Sequence, residues 1–166
     1  IEFSRRFNSG AGSGPQSRVC LITDTSQFMH LPVPLPGEHQ ALNCGLALAV
    51  ADLLKSSGFG FPEVPMLEGL EATVTPGRME LVWDQPRILL DGAHNPIAID
   101  ALMRSVGSYV SYDSMVCIFG CCEDKDVDAV LEAAARGGDK FIFTRAKGNP
   151  RAADPEDLQR RFSAIS

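Results

Sequence analysis

The chain has 166 residues, of which 45% are hydrophobic and 22% charged, and its formal net charge is −6. That composition predicts a folded chain with a buried core, and the length allows one domain or two small ones. Because no long run of Lys or Arg offsets the acidic balance, we expect no nucleic-acid partner and no anionic-membrane partner. No apolar run approaches the ~20 residues that a membrane span needs, and no signal peptide is visible.

The cysteine pattern indicates reduced thiols. Five cysteines are present, an odd number, and no pair of them has Cys-x-x-Cys spacing. Such usage is typical of a cytoplasmic protein, so we expect a cytoplasmic location. A metal site formed by Cys121, Cys122 and a histidine is the alternative.

The first 36 residues predict an irregular, β-rich segment. Strands are expected at residues 18–23 and 28–33. Prolines at positions 32, 34 and 36 favour an edge position for the second strand. Residues 8–17 are rich in Gly and Ser and predict a mobile loop. The Gly-x-Gly-x-Gly spacing in this loop is not a phosphate-binding fingerprint, because no helix follows it.

The first clear helix is predicted over residues 37–56. Apolar residues recur there at helical spacing, namely Leu42, Leu46, Val50 and Leu53, with alanines at positions 41, 47, 49 and 51 between them. The beginning of this helix, residues 37–43, holds more polar groups than a core helix requires. A solvated first turn and a ligand-binding turn both explain that excess.

A proline-broken connector follows, with a short helix near residues 66–72. Pro76-Gly77 predicts a turn, and residues 79–83 alternate weakly, as an edge strand does. A hairpin with residues 87–90 is expected, and residues 84–86 would form its turn.

The chain is organised around residues 87–103. Residues 88–90 predict a buried strand, which Asp91-Gly92 ends. Asn95 occupies an N-cap position and Pro96 the first helical position. Asp91 and His94 therefore lie in a strand-to-helix turn beside a helix N-terminus, where open α/β sheets bind ligands. A merely well-capped turn would explain Gly, Asn and Pro but not Asp and His together.

The remaining elements alternate between strand and helix. Strands are predicted at residues 114–120 and 140–144, and helices at 124–135 and 155–162, the second capped by Asp154. Such alternation predicts a parallel sheet with right-handed crossovers.

Several segments together resemble one known family. Asp91-Gly92-Ala93-His94-Asn95-Pro96 is similar to the signature of the folylpolyglutamate synthase and dihydrofolate synthase family, within the Mur ligase superfamily. Gly37-x-His-Gln-x-x-Asn43 also resembles a family segment, with Cys44 in place of its Ala. Further similar segments are Gly77-Arg78, the turn from Gly120 to residues 124–126, and the loop at 149–155.

The resemblance implies roles for particular side chains. It assigns Asn43 to the adenine base of ATP. The side-chain amide of Asn43 has a donor and an acceptor, and both can pair with the edge of the base. Arg78 would contact ATP, and Asp91 and His94 would bind the nucleotide side and orient ribose or phosphate. Arg151 is the proposed ligand of the glutamate carboxylate, which fits the fork of a guanidinium. No metal ligand is assigned to this chain.

The resemblance also implies the fold class, α/β, and a division into two parts. Residues 75–166 would form a Rossmann-like C-terminal domain with a mostly parallel sheet, truncated at its end. Residues 1–74 would be the C-terminal part of the central ATPase domain, with the boundary near residues 74–76. The phosphate-binding Gly-x-x-x-x-Gly-Lys-Ser/Thr sequence is absent. We therefore expect a fragment, inactive alone, whose partner is the missing N-terminal part of the same enzyme.

The implied reaction joins L-glutamate to a folate through an acyl phosphate, using ATP and Mg²⁺ whose ligands lie mostly in that missing part. Positioning and charge neutralisation would do most of the catalysis. One alternative is a Mur-type ligase of cell-wall precursors. Another is a non-catalytic nucleotide-binding α/β module.

Overall fold

The computed structural model describes residues 2–6, 16–23 and 25–165. Its contacts divide the chain into two units, unit 1 ending at Asp91 and unit 2 beginning at Gly92. The boundary predicted near residues 74–76 lies earlier in the chain and stays a prediction. Most of the predicted mobile loop at 8–17 lies outside the described residues.

Unit 1 contains a three-stranded antiparallel sheet, in the order β1-β2-β3. The strands are β1 (Glu2–Arg6), β2 (Gln16–Ile22) and β3 (Gln27–Pro32). The β2–β3 register is irregular between Val19 and Leu21. β3 lies at a sheet edge, which confirms the position that its prolines predicted.

Two helices complete the core of unit 1, α1 (Glu38–Ser56) and α2 (Glu63–Glu71). Both predicted helices are thus confirmed. The core joins the sheet to the first helix through buried apolar side chains, namely Val19, Leu21, Phe28, Val33, Ala41, Cys44 and Leu48. Met66, Leu67 and Leu70 of α2 pack against the same cluster.

The buried face of α1 is not the one that carries the large apolar repeat. Ala41, Cys44 and Leu48 face the core, whereas the four large apolar residues of the repeat are exposed, Leu53 at 67%. The helix carries two apolar faces, so periodicity alone cannot say which one meets the sheet. The small side chains of Ala41 and Cys44 mark the face that packs on the strands.

Asp52 anchors α1 to the turn between β2 and β3. Its Oδ2 accepts the Thr23 hydroxyl at 2.6 Å, and its Oδ1 accepts the hydroxyls of Thr25, at 2.6 Å, and Ser26. These hydrogen bonds, led by that from Ser26, lower the pKa of Asp52 to about 2. Only 8% of the residue is exposed, so the ionised carboxylate is held by the hydroxyl groups around it.

A hairpin of β4 (Glu80–Asp84) and β5 (Arg87–Leu90) ends unit 1. The predicted pairing is confirmed, with Asp84 opposite Arg87. The prediction that residues 88–90 are buried is wrong, because Ile88 and Leu90 are both exposed. An apolar sequence allows a strand to be buried, but the strand is buried only where a second layer covers the sheet.

Unit 2 alternates helices and strands, as its sequence predicts. The elements are α3 (Pro96–Tyr109), β6 (Val116–Phe119), α4 (Val127–Ala135), β7 (Lys140–Phe143) and α5 (Pro155–Phe162). β6 and β7 pair in parallel, from Val116 opposite Lys140 to Phe119 opposite Phe143. The predicted parallel arrangement is therefore confirmed for this pair.

The helices of unit 2 cover one face of its two strands. Ile99, Val130 and Ala133 are buried with Phe141 packed against them, and Leu131 and Leu158 form a second cluster with Phe143. The odd-numbered strand residues Cys117, Phe119, Phe141 and Phe143 are partly buried. Val116, Ile118 and Ile142 point the other way and are exposed, so the burial predicted for residues 114–120 holds for one face only.

Of the helices in the described ranges, none combines the length and apolarity of a membrane-spanning segment.

Asp52→Asn is expected to lower the stability of unit 1 at neutral pH, because an amide replaces one acceptor oxygen by a donor. The carboxylate's contribution is complete above its ordinary pKa of 3.8 and is lost as the pH falls toward about 2. The difference between wild type and variant should therefore shrink from pH 5 to pH 2. Urea unfolding followed by fluorescence of Trp83, the only tryptophan, measures it.

Glu71→Gln, an exposed carboxylate change at the end of α2, is the control for this experiment. A gap between wild type and Asp52→Asn that stays constant with pH would contradict the role given to the ionised carboxylate.

Gly120→Ala is expected to destabilise unit 2 by about 1–3 kcal/mol through overpacking. A Cβ at Gly120 would lie 2.5 Å from the carbonyl oxygen of Thr144, a backbone atom that cannot rotate away. Gly107→Ala in α3 is the matched control, because its Cβ would meet nothing within 4 Å. Chemical denaturation with hydrogen exchange at the β6 amides compares them, and equal stability of the two variants would refute the expectation.

Candidate functional site

The turn that follows β5 has the local structure that the sequence predicts. Asp91 and Gly92 come directly after the strand, and α3 begins at Pro96. Asn95 is the N-cap, and its side-chain oxygen accepts the Ala98 N–H at 2.9 Å. The cap satisfies one of the amide donors that a helix N-terminus leaves unpaired.

The His94 ring is fixed by the backbone of its own turn. Its Nδ1 lies 2.9 Å from the carbonyl oxygen of Gly92. A carbonyl can only accept, so the hydrogen bond requires the proton on Nδ1. In the neutral ring, Nε2 is then an acceptor. The residue is exposed, so this nitrogen is available to a ligand.

Asp91 reaches from the end of β5 to the turn before β4. Its Oδ2 accepts the backbone N–H of Met79 at 2.9 Å. Met79 has a φ of 44°, in the left-handed region that non-glycine residues rarely occupy. Such a conformation costs about 1–3 kcal/mol and persists only where the surroundings impose it. The hydrogen bond and the burial of the Met79 side chain supply that constraint.

Arg78 is presented by this constrained turn. Gly77 before it has a φ of 68°, which glycine adopts without steric cost. The Arg78 side chain is exposed, and its Nη1 donates to the Gly77 carbonyl at 3.2 Å. The backbone at Arg78 is thus fixed, while its guanidinium faces solvent.

His39, in the first turn of α1, lies within the electric field of the same turn. Burial lowers the pKa of His39, the Asp91 carboxylate raises it, and the Arg78 guanidinium lowers it. The His39 Nδ1 is enclosed and has no hydrogen-bond partner in the described part of the chain. His39 is therefore within electrostatic range of both Asp91 and Arg78.

Asn43 lies one helical turn after His39, on the same side of α1. Its Nδ2 donates to Gln40 Oε1 at 3.1 Å, and Gln40 is 8% exposed. The buried Gln40 amide thus orients Asn43, whose oxygen and second N–H are left for a ligand. The sequence assigned no role to His39 or Gln40, although the excess of polar groups at the helix start was the signal.

Arg151 lies in unit 2, where the two loops that resemble the family meet. The Glu123 N–H donates to the Arg151 carbonyl at 2.8 Å, and the Ala153 N–H to the Cys121 carbonyl at 2.9 Å. Arg151 Nη1 is 3.6 Å from Asp124 Oδ2, and both side chains are largely exposed. An exposed ion pair contributes about 0–1 kcal/mol, so an incoming carboxylate can replace Asp124.

The cysteines form no disulfide, and burial raises the pKa of the Cys44, Cys117 and Cys121 thiols. Among the residues that the structure describes, no group of three or more His, Cys, Asp and Glu side chains could hold a metal ion. The alternative metal site at Cys121 and Cys122 is therefore not formed there.

Three of the five predicted site residues lie in unit 1, namely Asn43, Arg78 and Asp91, and Asp91 is hydrogen-bonded to the turn that carries Arg78. His94 and Arg151 lie in unit 2. The unit 1 groups are an amide, a guanidinium and a carboxylate. They can pair with a base edge, an anionic group and hydroxyl groups.

Comparison with known proteins identifies the family. Residues 77–165 match the family described as "Mur ligase, glutamate ligase domain". The chain belongs to the Mur ligase family, and residues 77–165 are its glutamate ligase domain.

The relatives include folate enzymes and also a UDP-N-acetylmuramoyl-L-alanyl-D-glutamate--2,6-diaminopimelate ligase of Chlorobaculum tepidum, which is 30% identical over 93% of this chain and 31% of its own. The dihydrofolate synthase/folylpolyglutamate synthase of Mycobacterium tuberculosis is 34% identical over 79% of this chain and 27% of its own. The crystal structures of M. tuberculosis folylpolyglutamate synthase complexed with ADP and AMPPCP match with a TM-score of 0.82 and 29% identity, over 99% of this chain and 36% of that one.

A third relative is a bifunctional folylpolyglutamate synthase/dihydrofolate synthase with Mn, AMPPNP and L-glutamate bound. It matches with a TM-score of 0.70 and 27% identity, over 96% of this chain and 35% of its own. The chain therefore spans about a third of the length of these relatives. The likeness confirms the predicted α/β fold and the predicted family.

Proposed function

We propose that this chain is part of an ATP-dependent ligase that adds L-glutamate to a folate through an acyl phosphate. The observation that carries the proposal is the hydrogen bond that joins Asp91 to the turn of Arg78, with His39 of α1 in electrostatic range of both, in a chain similar to ligases that bind ADP and AMPPCP. The proposed enzyme class is an acid–amino-acid ligase, forming a carbon–nitrogen bond.

The unit 1 residues suit the three parts of a nucleotide. The Asn43 amide, oriented by Gln40, pairs its remaining donor and acceptor with the adenine edge. The Arg78 guanidinium neutralises phosphate charge, and its fork matches two oxygens at once. The Asp91 carboxylate accepts a ribose hydroxyl in addition to the Met79 N–H. The Nδ1 of His39, which has no hydrogen-bond partner among the described residues, is a further polar atom on this side of α1.

Two residues of unit 2 serve the other substrates in this proposal. His94 offers Nε2 as an acceptor beside the N-terminus of α3, where an anionic group is also favoured. Arg151 exchanges Asp124 for a carboxylate of L-glutamate. Neither residue has to act as a nucleophile, because the chemistry is positioning and charge neutralisation.

Magnesium belongs to the proposal as the ion that neutralises the phosphates of ATP. We assign its ligands mostly to the N-terminal part of the enzyme, which this chain does not contain. No step in the scheme above depends on a metal ligand from this chain.

The proposal includes the organisation of the whole enzyme. Residues 1–74 would be the end of the central domain, and residues 75–166 most of the C-terminal domain, in a reducing cytoplasm. The partner would be the N-terminal part of the same enzyme. The chain spans 36% of the M. tuberculosis structure, and α1 leaves a whole apolar face exposed. Helices that are apolar on both sides are usually covered on both.

The chain is expected to bind ADP, with Arg78→Ala and Asp91→Asn each weakening binding by about tenfold, the loss of one hydrogen bond to a charged group. Asn at position 91 retains one oxygen for the Met79 N–H and lacks the second acceptor oxygen, so it tests the contact with the ribose hydroxyl. Isothermal titration with millimolar ADP measures the Kd. Asp113→Asn, an exposed change in unit 2, should bind as wild type does. Wild-type affinity in both site variants would contradict the assignment.

The purified 166-residue chain is expected to form no glutamyl product from ATP, a folate and L-glutamate, because it lacks the phosphate-binding sequence. The assay follows the release of ADP and the formation of glutamylated folate in the same reaction. ATP- and glutamate-dependent turnover above the rate of heat-denatured chain would refute this expectation.

A further inference from the structure

Glu80, the first residue of β4, folds back onto the turn that carries Arg78. Its Oε2 accepts the backbone N–H of Gly77 at 2.7 Å. The side chain is partly buried, so water competes less for this hydrogen bond than at an open surface. A hydrogen bond from an amide to a carboxylate is also stronger than one between neutral groups.

Two carboxylates therefore hold the turn, one on each side of Arg78. Glu80 holds the N–H of Gly77, and Asp91 holds the N–H of Met79 at 2.9 Å. Gly77 and Met79 both have left-handed φ values, 68° and 44°. Such a backbone, with a non-glycine residue at positive φ, requires constraints from outside the turn. The two hydrogen bonds are constraints of that kind.

We infer that Glu80 is a positioning residue for nucleotide binding, which acts by fixing the backbone from Gly77 to Met79 and so the place of Arg78. The inference rests on the proposed function, since the ligand that Arg78 meets is the nucleotide. Glu80 itself contacts the backbone and not the ligand.

Electrostatics alone predicts the opposite effect. A carboxylate near a bound nucleotide repels its phosphates, so removing the charge should strengthen binding if Glu80 had no other role. A positioning role depends on the acceptor oxygen and not on the charge. Glu80→Gln keeps an acceptor oxygen and removes the charge, whereas Glu80→Ala removes both. These variants separate the two effects.

The test measures the Kd for ADP of the full 166-residue chain. Glu80→Ala is expected to weaken binding by about five- to tenfold, since it removes the acceptor of the Gly77 hydrogen bond that orders the site. Glu80→Gln should bind at least as tightly as wild type. In an Arg78→Ala background, Glu80→Ala should change the Kd by less than about twofold, because the residue that it positions is gone. Glu71→Ala and Glu71→Gln are the matched controls.

Two results would overturn the inference. If Glu80→Ala binds ADP as tightly as wild type, or more tightly, Glu80 acts only by repelling the phosphates. If Glu80→Ala weakens ADP binding equally with Arg78 present and with Arg78→Ala, the substitution has a general structural effect that does not act through Arg78.

Hydrogen exchange of the Gly77 amide, measured without nucleotide, separates this inference from the proposed function. Faster exchange in Glu80→Ala, but not in the Glu71 variants, supports the carboxylate's hold on the turn. Unchanged exchange overturns it. If the wild type binds no ADP, the proposed function fails and with it the nucleotide role of Glu80, whereas the Gly77 result still decides whether the turn is held.

Discussion

The hydrogen bond from the Met79 N–H to the Asp91 carboxylate is the constraint on which the candidate site depends. It joins two segments that the sequence shows as separate motifs, the Gly77-Arg78 turn and the residue that follows β5. A left-handed Met79 between them is unfavourable unless it is held. Asp91 thus has a structural role as well as its proposed contact with ribose, because its Oδ2 accepts the hydrogen bond from the Met79 N–H.

The helix α1 carries Asn43, and side-chain hydrogen bonds and apolar packing hold this helix on the sheet. Its first two turns hold His39, Gln40 and Asn43, while Asp52 near its end accepts three hydroxyl hydrogen bonds from the turn between β2 and β3. The helix is therefore fixed to the sheet by its small apolar face and by one ionised carboxylate. Its position relative to the β2–β3 turn is set by directional bonds as well as by nondirectional packing. The polar first turns are placed by the same attachment.

Unit 2 shows how the resembling loops form a local structure. The segment from Gly120 to Asp126 and the segment from Asn149 to Pro155 are joined by backbone hydrogen bonds, and the close approach of Gly120 to Thr144 leaves no room for a Cβ. Arg151 faces Asp124 across this junction. A weakly paired guanidinium on a fixed backbone suits a site that exchanges one carboxylate for another, and this supports the glutamate role that we propose.

The sequence by itself determined the features that depend on neighbouring residues. Asn95 with Pro96, and Asp154 with Pro155, begin helices where they should, because capping and φ restriction act within a few residues. The alternation of elements likewise predicted the parallel pair of strands. Only the tertiary structure decided which face of α1 is buried, since both faces are apolar. It also decided that Glu80 joins the residues that the motifs identify, and that Gln40 orients Asn43. Those choices depend on contacts between distant segments, and no local pattern records which segments will meet.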